Sequence, residues 1–556
     1  MRQSTAWDGL LLRIVSQPFE ATGLRISLIR KFGNSAAAGR IMPDSKNDPW
    51  FLGIDLGTGS CKTVVVNQQA QALGFGADDY AASDVHEKWR EQDPQAVLNC
   101  MARSVRAAIQ RAGKPAESCS GMSIGGALHS LMALDSSDKP LTGIMTWATG
   151  RAAGQAEALR GAPQTQDLYH QTGCPIHGMY PLYKVLWLRE ERLEVYKKAA
   201  RFVSAKEYVF TQLTGEHVVD YCLAAGSGFL NIHEARWNDS SLELAGVRES
   251  RLSALCDPGE IFHVSNRDLA AQMGIPPGTP IALGSGDAAN SSLGAGGVFP
   301  WKATCMIGTS GALRIISPQP VLDAASRTWC YAVDRDHWLV GGAINNGGVA
   351  LSWLQDLIHS ALPNLPRDMR LSFDDLTSLA SGAEIGSGGV ICLPLFAGER
   401  SPNWNLNARG VFFGLSLDHK MERLARSVLE GISFRFRSVY DALAEITGDI
   451  KEIRASGGFT RSPFWLQTTA DVLNRELAVP VWGETSSLGA ALWAINGADT
   501  LSSLHDIERL IPIGDVYEPD PRAAETYERL YENYKDLYAA VSSLFDRTIA
   551  SRQQEG

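Results

Sequence analysis

The alternation of apolar and polar positions from Trp50 onward predicts strands interleaved with helices, the pattern of an α/β architecture. Asp93-Pro94 supplies an N-cap and a first-turn proline. Val97, Met101, Val105 and Ile109 then recur every four residues until Gly113, which predicts a helix with one buried face. A longer helix is predicted from about Lys420 to Ile446. Met421, Leu424, Ala425, Val428, Leu429, Ile432, Phe436, Val439 and Leu443 share one of its sides, and Gly448 follows its end. A last helix opens at Asp520-Pro521 and carries Tyr527, Tyr531, Tyr534, Tyr538 and Val541. That spacing is what helix packing alone requires, so the aromatic stripe is read as core rather than as a ligand site.

Two strand–turn–strand patterns stand far apart in the chain. Ile54-Asp55-Leu56-Gly57-Thr58-Gly59-Ser60-Cys61-Lys62 leads into Thr63-Val64-Val65-Val66, and Met306-Ile307-Gly308-Thr309-Ser310-Gly311 leads into Ala312-Leu313-Arg314-Ile315-Ile316. Each turn centres on Gly-Thr. Glycines let a backbone approach a ligand closely, so that N–H groups and Thr or Ser hydroxyls can point at phosphate oxygens. A single Gly-Thr turn is more often just a plain hairpin turn. Two of them, each between apolar strands and a lobe apart, shift the balance toward a phosphate clamp.

Two aspartates need an explanation. Asp55 sits inside an apolar strand, where a carboxylate is costly to bury unless something pairs with it, and a hydrated magnesium ion on bound phosphates would do so. Asp287 follows the apolar run Pro280-Ile281-Ala282-Leu283 and a glycine-rich turn, Gly284-Ser285-Gly286. It reads either as a bland turn residue or as an exposed functional group; as a general base it would accept the proton of an attacking hydroxyl. Neither G-x-x-x-x-G-K nor G-x-G-x-x-G occurs, so the P-loop and Rossmann readings lack their motifs.

Composition narrows the classes. A chain of 556 residues makes two or more domains, and 45% hydrophobic with 20% charged residues is an ordinary globular balance. No apolar run approaches the roughly 18 residues that span a bilayer. A formal net charge of -10 without a basic stripe argues against nucleic acid. Nine scattered cysteines with no C-x-x-C pair fit a reducing compartment and a cytoplasmic location. Residues 1–48 lack a clear hydrophobic period and lean basic as far as Arg40; they read as an extension. An over-extended start, with Met42 just ahead of the folded region, is favoured over a transit peptide.

At this point the residues resemble the FGGY carbohydrate kinases, members of the actin/hexokinase/Hsp70 ATPase superfamily. The resemblance rests on Asp55-Leu56-Gly57-Thr58-Gly59-Ser60, Gly286-Asp287, Gly308-Thr309-Ser310 and Ser456-Gly457-Gly458. It is made specific by two longer stretches. Met179 to Glu191 is similar to one family signature throughout, and Gly410 to Glu430 to the other, except for Arg423 where a polar or acidic residue or His is usual. Most of the chain, from about Phe51 to the tyrosine-rich helix, is covered.

The resemblance implies an α/β protein of two RNase H-like, actin-like ATPase domains, 49–297 and 298–548, with an interdomain active-site cleft and a tail at 549–556. ATP and Mg2+ are the implied cofactors. Asp55 would work with the metal, through water. Thr58, Gly59, Ser60 and Lys62 would lie near the phosphates, with Thr309, Ser310 and Gly311 forming the second phosphate loop. Gly457, Gly458 and Ser462 would border the adenosine, and Asp287 would be the base. Taken without the family, Gly457-Gly458 reads as a structural strand-to-helix turn.

Within the family, the segments Ala127 to Leu131, Thr146-Trp147-Ala148 and Thr172 to His177 are most similar to gluconokinases, with xylulokinases next. His129, Trp147 and Arg151 are therefore the candidate sugar contacts beside Asp287, and Arg151 is a candidate partner for a gluconate carboxylate. A lone His or Trp is also often a satisfied core residue. Thr149 stands where the family commonly has an acid, which leaves the sugar less determined than the chemistry. The expected partner is a small sugar or sugar acid, with no nucleic acid and no membrane; a homodimer is the assembly entertained.

Overall fold

In the computed structural model, residues 48–80, 85–86, 91–361, 370–498 and 503–554 are described. The expectations for residues 1–47 lie outside them. Two sheets organise the chain. The first begins with a meander, β1 (Trp50–Leu56), β2 (Ser60–Asn67) and β3 (Ala72–Asp79), antiparallel throughout. β4 (Cys119–Gly126) lies parallel to β1 on its other side, then β6 (Pro280–Ala282) parallel to β4, and β5 (Ile261–His263) closes the edge antiparallel to β6.

The helix predicted after Asp93 forms α1 (Pro94–Ala112): the Asp93 carboxylate accepts from the Ala96 N–H, and Gly113 ends the helix in the left-handed region at φ 64°. α2 (Pro181–Glu191) falls within the first family-like stretch, α3 (Tyr221–Ala225) is capped by Asp220, and α4 (Asp287–Gly294) begins at the turn after β6.

The second sheet repeats the plan. β7 (Lys302–Ile307) and β8 (Gly311–Ser317) form the second predicted hairpin; β9 (Trp329–Ala332) and β10 (Trp338–Ile344) extend it beyond β8. On the other side come parallel β11 (Glu452–Ser456) and β12 (Leu477–Pro480), then antiparallel β13 (Ile513–Tyr517). The long predicted helix is α5 (Met421–Thr447). α6 (Pro463–Leu473), α7 (Thr485–Asn496) and α8 (Pro521–Gln554) complete the lobe, with α8 running into the segment read as a tail. Tyr527, Tyr531 and Tyr534 are buried, and Arg426 on α5 donates to the Tyr527 hydroxyl at 3.0 Å. No helix of the described residues is long and apolar enough to cross a membrane.

The lobes meet through a helix pair. α7 of the second lobe lies on the first sheet, against Gly53 of β1, while α4 of the first lobe lies on the second sheet, where Ser292 and Thr304 share a 2.9 Å hydrogen bond. α4 and α7 cross at Gly294 and Gly489: a Cβ on either would run into the carbonyl oxygen of Thr485 or Asn290 respectively. This crossing brings the start of α4, and with it Asp287, beside the first hairpin.

Candidate functional site

Asp55 lies near the end of β1 on the face turned toward α7, paired across the hairpin with Lys62. Its Oδ1 is buried with no hydrogen-bond partner. Burial, then the nearby Asp287 carboxylate, push its pKa up to about 7, against the lowering influence of Ser486 and Lys62. Asp287 is the first residue of α4 and accepts a hydrogen bond from the Leu128 N–H at 3.2 Å. Burial raises its pKa as well, and the Arg314 guanidinium is the strongest influence pulling it back. The two aspartates singled out from sequence are thus brought together, although 232 positions separate 55 from 287.

An orphaned, half-neutralised carboxylate is what a cation would relieve. Among the described residues no three His, Cys, Asp or Glu side chains gather as a ready-made metal cage. A divalent ion here would take Asp55 as its protein contact and its other ligands from water or bound phosphate, which is how magnesium is commonly held.

The first turn is tied to the wall beside it. The Trp147 indole donates to Thr58 Oγ1 at 3.1 Å, Gln92 donates to the Thr58 carbonyl at 2.8 Å, and the Gly57 N–H closes the turn on the Ser60 carbonyl at 3.0 Å. Gly59 is open to its surroundings and its carbonyl accepts from the Tyr80 N–H. Lys62 reaches across the lobes to Glu484 at 2.8 Å. In the second turn the Thr309 carbonyl accepts from the N–H groups of Gly347 and Val349, and Ser310 is half-buried. Gly311 has a packing reason of its own, because a Cβ there would strike the Phe436 ring.

Behind that turn opens a cavity of about 320 Å³, lined by Thr309, Gly458 and Ser462 together with Phe373, Thr377, Phe459 and Trp465. Gly457 turns the chain into it at φ 93°, and the Ser462 hydroxyl caps α6. The second hairpin therefore touches both regions: its turn lines the cavity, and its outgoing strand sends Arg314 toward Asp287.

His129 is held at φ 66°, with its Nδ1–H donating to the Gly226 carbonyl at 2.7 Å and its ring edge-on to Tyr180 and Tyr331. Burial drives its pKa down to about 3, so the ring is neutral and Nε2 keeps a free lone pair for a hydroxyl donor. Lys184, buried in α2, donates to the carbonyls of His129 and Thr146 and so fixes the backbone that carries His129 and Trp147. Arg151 is engaged elsewhere: it pairs with Glu91 and stacks over the Trp187 ring at 4.9 Å. The carboxylate it holds is thus the protein's own. Thr149 is buried with its hydroxyl unpartnered.

Sequence reading missed three groups. Lys206 and Asp220 form a buried ion pair at 2.6 Å, and Lys206 also donates to the Gly284 carbonyl at 2.8 Å, bracing the turn that presents Asp287. Arg400 lies over the Trp147 ring at 5.0 Å. Arg314 lies in an apolar strand, the same signal that drew attention to Asp55, and applying that signal to basic residues would have found it.

Comparison with known proteins agrees with this architecture. Residues 50–294 match the model of the FGGY family of carbohydrate kinases, N-terminal domain, and residues 303–498 that of its C-terminal domain. A gluconokinase of Bacillus licheniformis is 34% identical over 91% of this chain and 98% of its own length; a xylulose kinase of Escherichia coli is 27% identical over 89% and 99%. Among solved structures, a ligand-bound xylulose kinase and a gluconate kinase, both from Lactobacillus acidophilus, superpose with TM-scores of 0.84 and 0.83. Each is 29% identical, covering 90% of this chain and 100% and 99% of the respective structures. Two RNase H-like lobes joined as in actin-like ATPases, with paired aspartates where the lobes meet and family matches over both halves, place this chain in the FGGY family of carbohydrate kinases.

Proposed function

We propose that this chain transfers the terminal phosphoryl group of ATP to a hydroxyl of a sugar acid, converting D-gluconate to 6-phosphogluconate. The observation that carries the reading is the meeting of Asp55 and Asp287 beside a hairpin whose turn lines a separate nucleoside-sized cavity. Asp287 accepts the proton of the attacking hydroxyl, and its raised pKa makes it a stronger base than a free carboxylate. The Leu128 N–H holds that carboxyl in place. Thr58, Gly59, Ser60 and Lys62 on one side, and Thr309, Ser310 and Gly311 on the other, border the phosphates; Gly457, Gly458 and Ser462 border the adenosine. His129 and Trp147 receive the polyol. Magnesium held by Asp55 through water would screen the charge of the phosphates.

The sugar-acid assignment is supported by the gluconokinase relatives and by the buried guanidinium of Arg400 over the Trp147 ring. A neutral ketopentose is the second reading, favoured by the xylulose kinases among the relatives. A coupled ADP-release screen over gluconate, xylulose, ribulose, glycerol, fuculose and rhamnulose separates them. Gluconate is expected to lead; another leader replaces the substrate, and ADP release at one rate with or without sugar overturns the kinase reading in favour of a plain ATPase.

A further inference from the structure

Two buried guanidiniums lie near Asp287 with no ion pair of their own among the described residues. Arg314 is 6% exposed and Arg400 8%. Arg314 Nε and Nη1 and Arg400 Nε are buried with no hydrogen-bond partner, and neither residue forms an ion pair among the described residues. Arg400 donates through Nη2 to the Ile344 carbonyl at 3.0 Å and packs over Trp147. The groups that act on them include Asp287, the neutral rings of His129 and His177, the hydroxyls of Tyr180 and Tyr331, and the Cys222 and Cys305 thiols. With Asp287 the one carboxylate among these, two cations share one anion. Each arginine makes the other's charge harder to bury, and Arg400 is pushed down to about 10, by burial first.

Leaving a buried guanidinium donor unmet costs free energy, and a protein gains nothing from two of them together unless a ligand completes the set. The site is built rather than incidental. Glu399, beside Arg400, pairs with buried Arg435 of α5 and accepts from the Tyr538 hydroxyl of α8 at 2.7 Å, and the Ser401 N–H donates to the Ala343 carbonyl at 3.0 Å. Arg400 is therefore presented by a loop anchored on three elements. His177 adds to the surplus of donors: its Nδ1 accepts from the Met179 N–H at 3.1 Å, so the neutral ring carries its proton on Nε2, which has no partner.

We propose that Arg314 and Arg400 together form the subsite that receives the carboxylate of the sugar acid, and that this pair selects an acid over the neutral polyol of the same length. The inference rests on the sugar-acid reading above and assigns to it residues that the sequence did not. Forked N–H donors suit a carboxylate in a way that hydroxyls and neutral rings do not.

The test is nucleotide-free calorimetric binding of D-gluconate and D-glucitol to the full chain, wild type beside Arg314→Gln and Arg400→Gln. Glucitol differs from gluconate only in carrying a hydroxymethyl group in place of the carboxylate. Wild type is expected to prefer gluconate, and each variant to reduce that preference at least tenfold, the range for a hydrogen bond to a charged group. Arg314→Lys and Arg400→Lys, which keep the charge and lose the fork, are expected to recover only part of it, and they serve if a Gln variant does not fold. Unchanged preference in the variants, or an effect confined to one arginine, overturns the pair. Equal binding of both ligands by wild type overturns it without any variant. If wild type phosphorylates a neutral sugar and not gluconate, the sugar-acid reading itself fails; phosphorylation of gluconate with the preference intact in the variants sinks the subsite alone.

Discussion

The two lobes carry the same hairpin with opposite charge. In the first, Asp55 stands at the end of the incoming strand; in the second, the matching position before Gly-Thr is Met306, and the buried charge is Arg314 on the outgoing strand. The turns differ by one residue: four lie between the paired Leu56 and Cys61, three between Ile307 and Gly311. The first turn is steadied by side chains, Trp147 and Gln92, the second by backbone N–H groups of Gly347 and Val349. A repeated topology fixes where the hairpins point, while single charged residues decide whether each half of the cleft favours a cation or an anion.

Removing charge from the first lobe has the largest expected effect. Asp287→Asn should lower turnover by roughly 10²–10⁴-fold while nucleotide binding persists, measured by steady-state ADP release and equilibrium titration. Full activity in that variant would strip Asp287 of its role as base.

Asp55→Asn tests the same half without reference to catalysis. At about pH 3 and below the Asp55 carboxyl is largely protonated in both folded and unfolded chains and costs almost nothing. As pH rises toward 7 the folded chain retains a proton that the unfolded chain has lost, so stability falls; above 7 the buried charge imposes its whole cost, on the order of 4 kcal/mol. Asp287, Lys62 and Glu484 are the charges that act on it. In chelator-treated protein the Asn variant should therefore exceed wild type in urea unfolding at pH 8 and come close to matching it at pH 3. An equal gain at both values would mean that the carboxylate is not the source.

The lobe contact can be broken through a glycine. Gly489→Val, whose side chain would meet the Asn290 backbone on α4, should cost about 3 kcal/mol of stability and impair turnover with it, because α4 carries Asp287. An unaffected melting temperature would refute the close crossing.

The smallest effect sharpens the contrast between the turns. Thr58→Val removes the acceptor of the Trp147 indole and should cost about 1 kcal/mol in urea unfolding, whereas exposed Thr309→Val should stay within about 0.5 kcal/mol. Equal losses would show that both turns depend on their threonine hydroxyls.

The residue order alone determined what depends on neighbours close along the chain. Helices α1, α5 and α8 followed from apolar spacing with caps and stops at Asp93, Gly113 and Gly448, and both hairpins from apolar strands around Gly-Thr, because each element satisfies its hydrogen bonds locally. Asp55 and Asp287 could be singled out one by one, the first because a lone carboxylate inside an apolar strand is costly to bury, the second because an apolar run and a glycine-rich turn deliver it. Their meeting was settled only by the crossing of α4 and α7 at Gly294 and Gly489. The same holds for Arg151, which found Glu91, for Lys184, which reached the His129 and Thr146 carbonyls, and for Arg314 and Arg400, which were buried with guanidinium nitrogens left unpartnered. Whether a buried charge is satisfied depends on partners tens to hundreds of residues away, and only the packed lobes fix which of them arrive.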